Sequence, residues 1–298
     1  MSDDPAPGAR SIRSSSGRFS VPVPVVLAEA ISERYSLERE LARGGMATVY
    51  LGQDHQKLQT VAIKVMHPKL ATVLGAERFL REIRVAKAMD HPLIVPLIDS
   101  GNARGLLYYV MPYIDGESLF ERLQRERRLP VDDSLRITRD VAEALGYAHA
   151  RGVLHRDVKP ENILLSGGRA LVADFGLARA IGAADSRKLT ATGVIVGTTF
   201  YMSPEQLRED RDIDGRSDIY GLGCLLFEML TGGPPYVGTS LKDVVTKILL
   251  SPIPSLRRLN PNVPEPIERA VTKSLAKAAN DRFRTMEEFA AALPSPGT

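Results

Sequence analysis

The sequence predicts an α+β chain in which a small antiparallel sheet precedes a larger, mainly helical part. Between Tyr35 and Met66, short segments rich in Val, Tyr and Thr ("RYSLEREL", "ATVYLGQD", "QTVAIKVM") alternate with Gly and polar breaks, as antiparallel strands do. From Glu77 to Asp90 the period changes: Phe79, Leu80, Ile83, Val85, Ala86 and Met89 form a largely helical apolar stripe with charges opposite. Beyond Tyr113 helical spacing dominates, as in "DDSLRITRDVAEALGYAHARG", where Leu135, Val141, Ala142 and Leu145 recur.

The elements follow in order. Residues 1–20 hold six serines and two prolines with few apolar side chains, a composition that does not repay ordering, and a flexible tail is expected to run to residue 34. Residues 35–114 form the strand-rich part and residues 115–292 the helical part, with a loose tail at 293–298 ("PSPGT" at the end). At 298 residues, 44% apolar and 25% charged, the chain buries one sizeable core or two lobes. A formal charge of +3 with interspersed signs does not imply nucleic-acid binding. The lone Cys224 excludes an internal disulfide, and the five histidines show no metal-ligand spacing. The longest nearly apolar stretch, "YGLGCLLFEML" (Tyr220 to Leu230), contains Glu228 and is far shorter than a bilayer span, so it reads as a buried helix. "SVPVPVVLAEA" imitates a secretory signal, but Pro22 and Pro24 break its apolar run.

The chemistry is concentrated in "HRDVKPENILL" (His155 to Leu165), followed nine residues later by "DFG" (Asp174 to Gly176). Phosphoryl transfer requires a carboxylate to orient the attacking hydroxyl, oxygen ligands for a divalent cation and cations over the migrating charge. Each tripeptide alone occurs by chance on polar turns; in this order and spacing they do not. Upstream, "VAIK" ends at Lys64 on an expected strand, and "LARGGMATVY" (Leu41 to Tyr50) has the character of a phosphate-cradling loop.

These motifs together resemble the eukaryotic-like serine/threonine protein kinases of bacteria, in family order from about Tyr35 to about Phe289. The resemblance implies a two-lobed fold that transfers the γ-phosphoryl of Mg-ATP to Ser or Thr hydroxyls of protein substrates. It makes Asp157 the catalytic base, Asn162 and Asp174 the ligands of Mg²⁺ (with Mn²⁺ as an alternative), and Lys159 the cation at the γ-phosphate. Lys64 would bind the α- and β-phosphates and pair with Glu82 of the next helix, Glu77 serving the helix dipole instead. The three glycines of the family loop fall at Ala42, Gly44 and Ala47, so the central one survives and Gly45 adds a second at the tip. A side chain there blocks close backbone approach to phosphate, and an alanine methyl at either flank is a small intrusion. Ala42, Gly44, Gly45, Val49 and Ala62 would thus line the nucleotide site. Met111 takes the gatekeeper position, and the carbonyl of Pro112 with the N–H of Ile114 would grip adenine; proline keeps the carbonyl that this needs.

The long polar stretch between Asp174 and "SPE" (Ser203 to Glu205) resembles an activation segment. Thr190 and Thr192 are the expected regulatory phosphorylation sites, with Arg156 and Arg179 available to pair a phosphothreonine. Thr198 would position the substrate hydroxyl, Glu205 would meet Arg282, and Asp218 would brace the catalytic loop. The resemblance extends to a homodimer through the small lobe, and the need for nucleotide implies a cytoplasmic protein without a membrane segment in this chain. Two other classes compete. A pseudokinase would explain Ala42 and Ala47 but not the presence of Lys64, Glu82, Asp157, Asn162 and Asp174 together. A small-molecule kinase shares the core but not the activation segment, Thr198 or the "SPE" motif.

Overall fold

The computed structural model describes residues 25–68, 75–175 and 198–295. Thr190, Thr192 and Arg179 lie outside them.

The strand-rich part is a five-stranded antiparallel sheet of β1 (Tyr35–Arg43), β2 (Ala47–Asp54), β3 (Gln59–Met66), β4 (Asp99–Ala103) and β5 (Leu106–Pro112), ordered β1-β2-β3-β5-β4. The side-chain period of two divides β3 between two apolar clusters. Val61, Ile63 and Val65 face one of them with Tyr35, Tyr50 and Val110. Ala62 and Met66 face the other, which includes Met111 and Ala173 and receives Phe79 and Ile83. These last two come from α2 (Ala76–Lys87), the helix expected from the stripe after Glu77.

Both assigned tails contain residues that pack into the fold. Within the segment assigned to the flexible tail, Val25–Ile31 forms a helix, α1, and its Leu27 and Ile31, one turn apart, are buried in the Tyr35 and Tyr50 cluster. Burying this pair against the sheet supplies the apolar gain that orders the helix. At the other end Leu293, assigned to the C-terminal tail, is also buried, and its carbonyl accepts from Arg139 Nη2 at 3.1 Å.

The helical part begins with the short β6 (Glu117–Ser118) and α3 (Leu119–Glu126), then α4 (Val131–His149). A hairpin of β7 (Ile163–Ser166) and β8 (Arg169–Val172) follows, turning through Gly167 and Gly168 with φ of 56° and 79°. Two consecutive positive φ values are the requirement of a type I′ turn, which glycine meets without strain. Then come α5 (Pro204–Arg208), α6 (Arg216–Thr231), α7 (Leu241–Leu250), α8 (Leu256–Leu259), α9 (Glu265–Ser274) and α10 (Met286–Ala291). The large core packs around α6, which is buried almost all round, including Cys224 and the Tyr220–Leu230 stretch. Burial pushes the Cys224 thiol up, consistent with an inert packing residue. No helix among the described residues is long and apolar enough to cross a membrane.

The two parts are stitched at the segment that carries the site. Val172 donates its N–H to the Leu93 carbonyl at 2.8 Å and accepts from Val95 N–H at 2.9 Å, immediately before Ala173 and Asp174.

Candidate active site

The loop between α4 and the 3₁₀ turn Pro160–Asn162 is held from beneath by Asp218, near the start of α6. Its carboxylate accepts from His155 N–H at 2.9 Å, Arg156 N–H at 2.7 Å and His149 Nε2 at 2.7 Å. Burial raises the Asp218 pKa, but the hydrogen bond and charge of His149 with the backbone donors outweigh it, leaving the carboxyl below its usual range. His155 adds a second clamp: Nδ1 accepts from Asp157 N–H at 3.2 Å, so Nε2 carries the proton donated to the Ala173 carbonyl at 2.8 Å. From α5, Gln206 Nε2 donates to the Arg156 carbonyl at 2.8 Å.

This bracing presents Asp157. Lys159 Nζ and Asn162 Nδ2 both donate to Asp157 Oδ2, at 2.7 and 3.0 Å, and Asn162 Nδ2 also reaches the Asp157 carbonyl at 2.8 Å. Oδ1 has no donor among the described residues. Lys159 is depressed by burial but raised overall by the Asp157 charge, so it stays an ammonium. Ala173 N–H donates to the Asn162 carbonyl at 2.9 Å, which sets Asn162 beside Asp174. The structure thus brings Asp157, Lys159, Asn162 and Asp174 together.

Lys64 reaches the same cluster from β3, where it pairs in register with Tyr109 of β5. Its ammonium forms an ion pair with Asp174 Oδ2, while the Tyr109 hydroxyl donates to Oδ1 of the same carboxylate. Burial raises the Asp174 pKa, but Lys64 and Tyr109 hold it below its usual value. The pairing of Lys64 with Glu82 is therefore not what the described contacts show. Glu82 is buried on α2 beside Phe79 and Ile83, and Lys64 pairs instead with Asp174, the carboxylate that the Tyr109 hydroxyl also holds. Tyr109 carries no sequence signal, since a strand tyrosine reads as packing.

On the nucleotide side, Ala62, Met111 and Ala47 share one apolar cluster with partly buried Leu41, Val49, Ile114 and Leu164, the last from the helical part. Tyr113 N–H donates to the Thr60 carbonyl at 3.2 Å. Hydrogen bonding alternates along an antiparallel pair, so the Pro112 carbonyl and Ile114 N–H point away from β3. Pro112 faces Val61 at a non-hydrogen-bonded position, where its missing N–H costs no ladder bond. Ala42, next to last in β1, lies opposite Val49, and Gly44 and Gly45 form the exposed tip beyond Arg43. A Cβ added to Gly44 would meet only the Ala47 carbonyl, at 3.8 Å. The fold therefore does not require glycine there, and the bare backbone faces open space, which suits close approach of a phosphate.

Thr198 opens the 3₁₀ turn Thr198–Tyr201. Beyond it the Tyr201 hydroxyl donates to Glu228 of α6, whose pKa burial pushes up to about 7. Arg282 grips Glu205 with two bonds, of 2.7 and 2.8 Å, and also donates to the carbonyls of Ala276 and Arg216.

The model of the protein kinase domain matches residues 35–291. Among curated proteins, the chain is 40% identical over 270 residues to the serine/threonine-protein kinase PknB of Mycobacterium leprae, covering 88% of this chain and 43% of that protein. It is 37% identical over 269 residues to serine/threonine-protein kinase PrkC of Bacillus subtilis, covering 90% and 41%. With the probable serine/threonine-protein kinase PknB of Lactococcus lactis it shares 36% over 268 residues, covering 89% and 42%. The chain thus spans less than half the length of these relatives. A matched family model over most of the chain, on a sheet-and-helix fold that gathers Lys64, Asp157, Asn162 and Asp174 into one cluster, establishes that this chain belongs to the protein kinase domain family.

Proposed function

We propose that the chain is the catalytic domain of an ATP-dependent serine/threonine protein kinase. The observation that carries this reading is the constellation at Asp157: two donors hold Oδ2, while Oδ1 remains to accept the proton of an attacking hydroxyl. Lys159, an ammonium 2.7 Å from Asp157, lies where it offsets negative charge on the transferring phosphoryl group. The backbone of Gly44 and Gly45 cradles phosphate, the Pro112 carbonyl and Ile114 N–H hold adenine, and Ala42, Val49, Ala62 and Met111 line its faces. Lys64 binds the α- and β-phosphates, which requires its ammonium to leave Asp174, and Glu82 is the carboxylate that then receives it. Thr198 positions the acceptor hydroxyl.

Asn162 offers an amide oxygen and Asp174 a carboxylate, a sparse hard-oxygen set that fits Mg²⁺ completed by phosphate and water. When bound, the metal neutralises charge on the phosphates. Mn²⁺ demands similar ligands and is proposed as a substitute.

Substrates are proposed to be proteins with Ser or Thr acceptors, and Thr190 and Thr192 to be regulatory autophosphorylation sites served by Arg156 and Arg179. A cytoplasmic location follows from the need for ATP. A homodimer through the small lobe is proposed on the family resemblance alone. The test is incubation with Mg·ATP and a mixed Ser/Thr peptide library, followed by phosphosite mapping, beside Asp157→Asn. Phosphate on Ser or Thr only with the wild type supports the reading. Nucleotide binding without transfer in either protein would refute it in favour of a pseudokinase.

A further inference from the structure

His67, the residue after β3, has no part in the motifs, yet it touches the phosphate loop at three places. Its backbone N–H donates to the Met46 carbonyl at 2.9 Å, extending the β2–β3 ladder one step past Ala47 and Met66. Its ring then spans the tip: Nδ1 lies 3.1 Å from the Gly45 carbonyl, and Nε2 lies 3.2 Å from Thr48 Oγ1. A carbonyl only accepts, so Nδ1 carries the proton. In the neutral ring Nε2 then accepts from the Thr48 hydroxyl, which is itself buried.

The partners of the ring are all in the loop or its first strand residues. Gly44 and Gly45 are exposed, and two adjacent glycines have more backbone freedom than any other pair. The Gly44 N–H to Ala47 carbonyl bond, at 2.9 Å, closes the turn at its base, leaving Gly45 and Met46 above it. Residue 67 takes the carbonyls of both.

We propose that His67 is a positioning residue of the phosphate loop: its imidazole, seated between the Gly45 carbonyl and the Thr48 hydroxyl, holds the Gly44–Met46 tip in the conformation that receives nucleotide phosphate. The tether thereby restrains a tip that contains two consecutive glycines. The inference rests on the reading of Gly44 and Gly45 as phosphate binders.

The test combines two measurements on the full chain. Hydrogen–deuterium exchange without nucleotide reads the tether, and steady-state kinetics reads its consequence. His67→Ala is expected to speed amide exchange over residues 44–48 and raise KM for ATP, each roughly three- to tenfold, the worth of one or two hydrogen bonds. KM for the peptide and kcat at saturating ATP stay within about twofold, because binding of the phosphates and not the chemical step is affected. Thr48→Val gives a smaller change in the same direction. His67→Asn, which retains a donor near the Nδ1 position, recovers most of both effects, a rescue that simple loss of packing would not show. Unchanged exchange in His67→Ala overturns the proposal, as does faster exchange with an unaltered KM for ATP. A wild-type chain that transfers no phosphate would refute the assigned activity instead, and the exchange data would still decide whether the tether exists.

Discussion

Replacing Asp218 with Asn tests the bracing of the catalytic loop. Three N–H donors converge on this carboxylate, those of His149 and His155 on Oδ2 and that of Arg156 on Oδ1. An asparagine has one carbonyl oxygen. Placed at the Oδ2 position, it keeps two donors in neutral form and sets its own NH₂ against the Arg156 N–H. Each retained bond falls from charge-assisted to neutral strength, about 0.5–1 kcal/mol, and the orphaned buried donor costs about 1–3 kcal/mol. Neutralisation does relieve the burial of the carboxylate, but its lowered pKa shows that the donors outweigh burial, so the charge is net stabilising. A loss of about 3 kcal/mol is expected in urea unfolding at pH 7. Because the folded pKa is depressed from 3.8, this contribution is present above about pH 4 and lost as pH falls through the folded value. Activity should fall further than stability. Arg156 holds φ at 63° next to Asp157, and releasing its N–H lets the loop relax, which misplaces the base at a cost on the order of a hundredfold in turnover. His149→Gln, which keeps a donor, should be mild, and His149→Ala intermediate. Asp218→Asn that unfolds within 1 kcal/mol of the wild type, about the worth of one hydrogen bond, and turns over normally would refute the reasoning.

Other perturbations separate scaffold from site. Arg282→Met leaves Glu205 buried without its bidentate partner and should cost about 3–5 kcal/mol by guanidinium unfolding. Gly44→Ala should leave the melting temperature unchanged, because its methyl meets only one atom at van der Waals distance, while weakening ATP in a binding titration; a loss of stability instead would locate the need for glycine in the fold. Glu228 has a raised pKa of about 7 against 4.5, so its contribution is full below pH 4.5 and lost as pH rises through about 7. Glu228→Gln escapes that loss, and its stability relative to wild type should improve by up to about 3 kcal/mol between pH 4.5 and 8, read as melting temperatures across the series.

The sheet, α2, α4 and the buried α6 were legible because their periods of two and 3.6 are local properties of the chain. The catalytic loop was legible because His155, Asp157, Lys159 and Asn162 lie within eight residues, so spacing alone encodes their geometry. What was missed lies between distant segments. His149 meets Asp218 across 69 residues and Tyr109 meets Asp174 across 65, and neither contact leaves a local pattern. The resemblance pairs Lys64 with Glu82, whereas its contact among the described residues is Asp174, 110 residues away, which no local pattern encodes. In α1, the Leu27 and Ile31 pair was too short a stripe to stand out beside a serine-rich leader.

Six non-glycine residues among those described have positive φ, and four of them sit in turns or at helix ends: Leu58, Arg104, Arg127 and Glu209. The other two are Arg156 and Asp174, on either side of the transfer site. A left-handed backbone at such residues persists only where surroundings over-determine it. Asp218 and Gln206 do so for Arg156; Lys64, Tyr109 and the Ala173 bond to Asn162 do so for Asp174. The two parts together thus spend polar contacts on fixing two awkward peptides, and damage to them lowers stability and turnover together. The phosphate loop is different, since its exposed tip adds little to the core and is steadied by one imidazole. Damage there should lower nucleotide affinity alone, so the two halves of the site fail in separable ways.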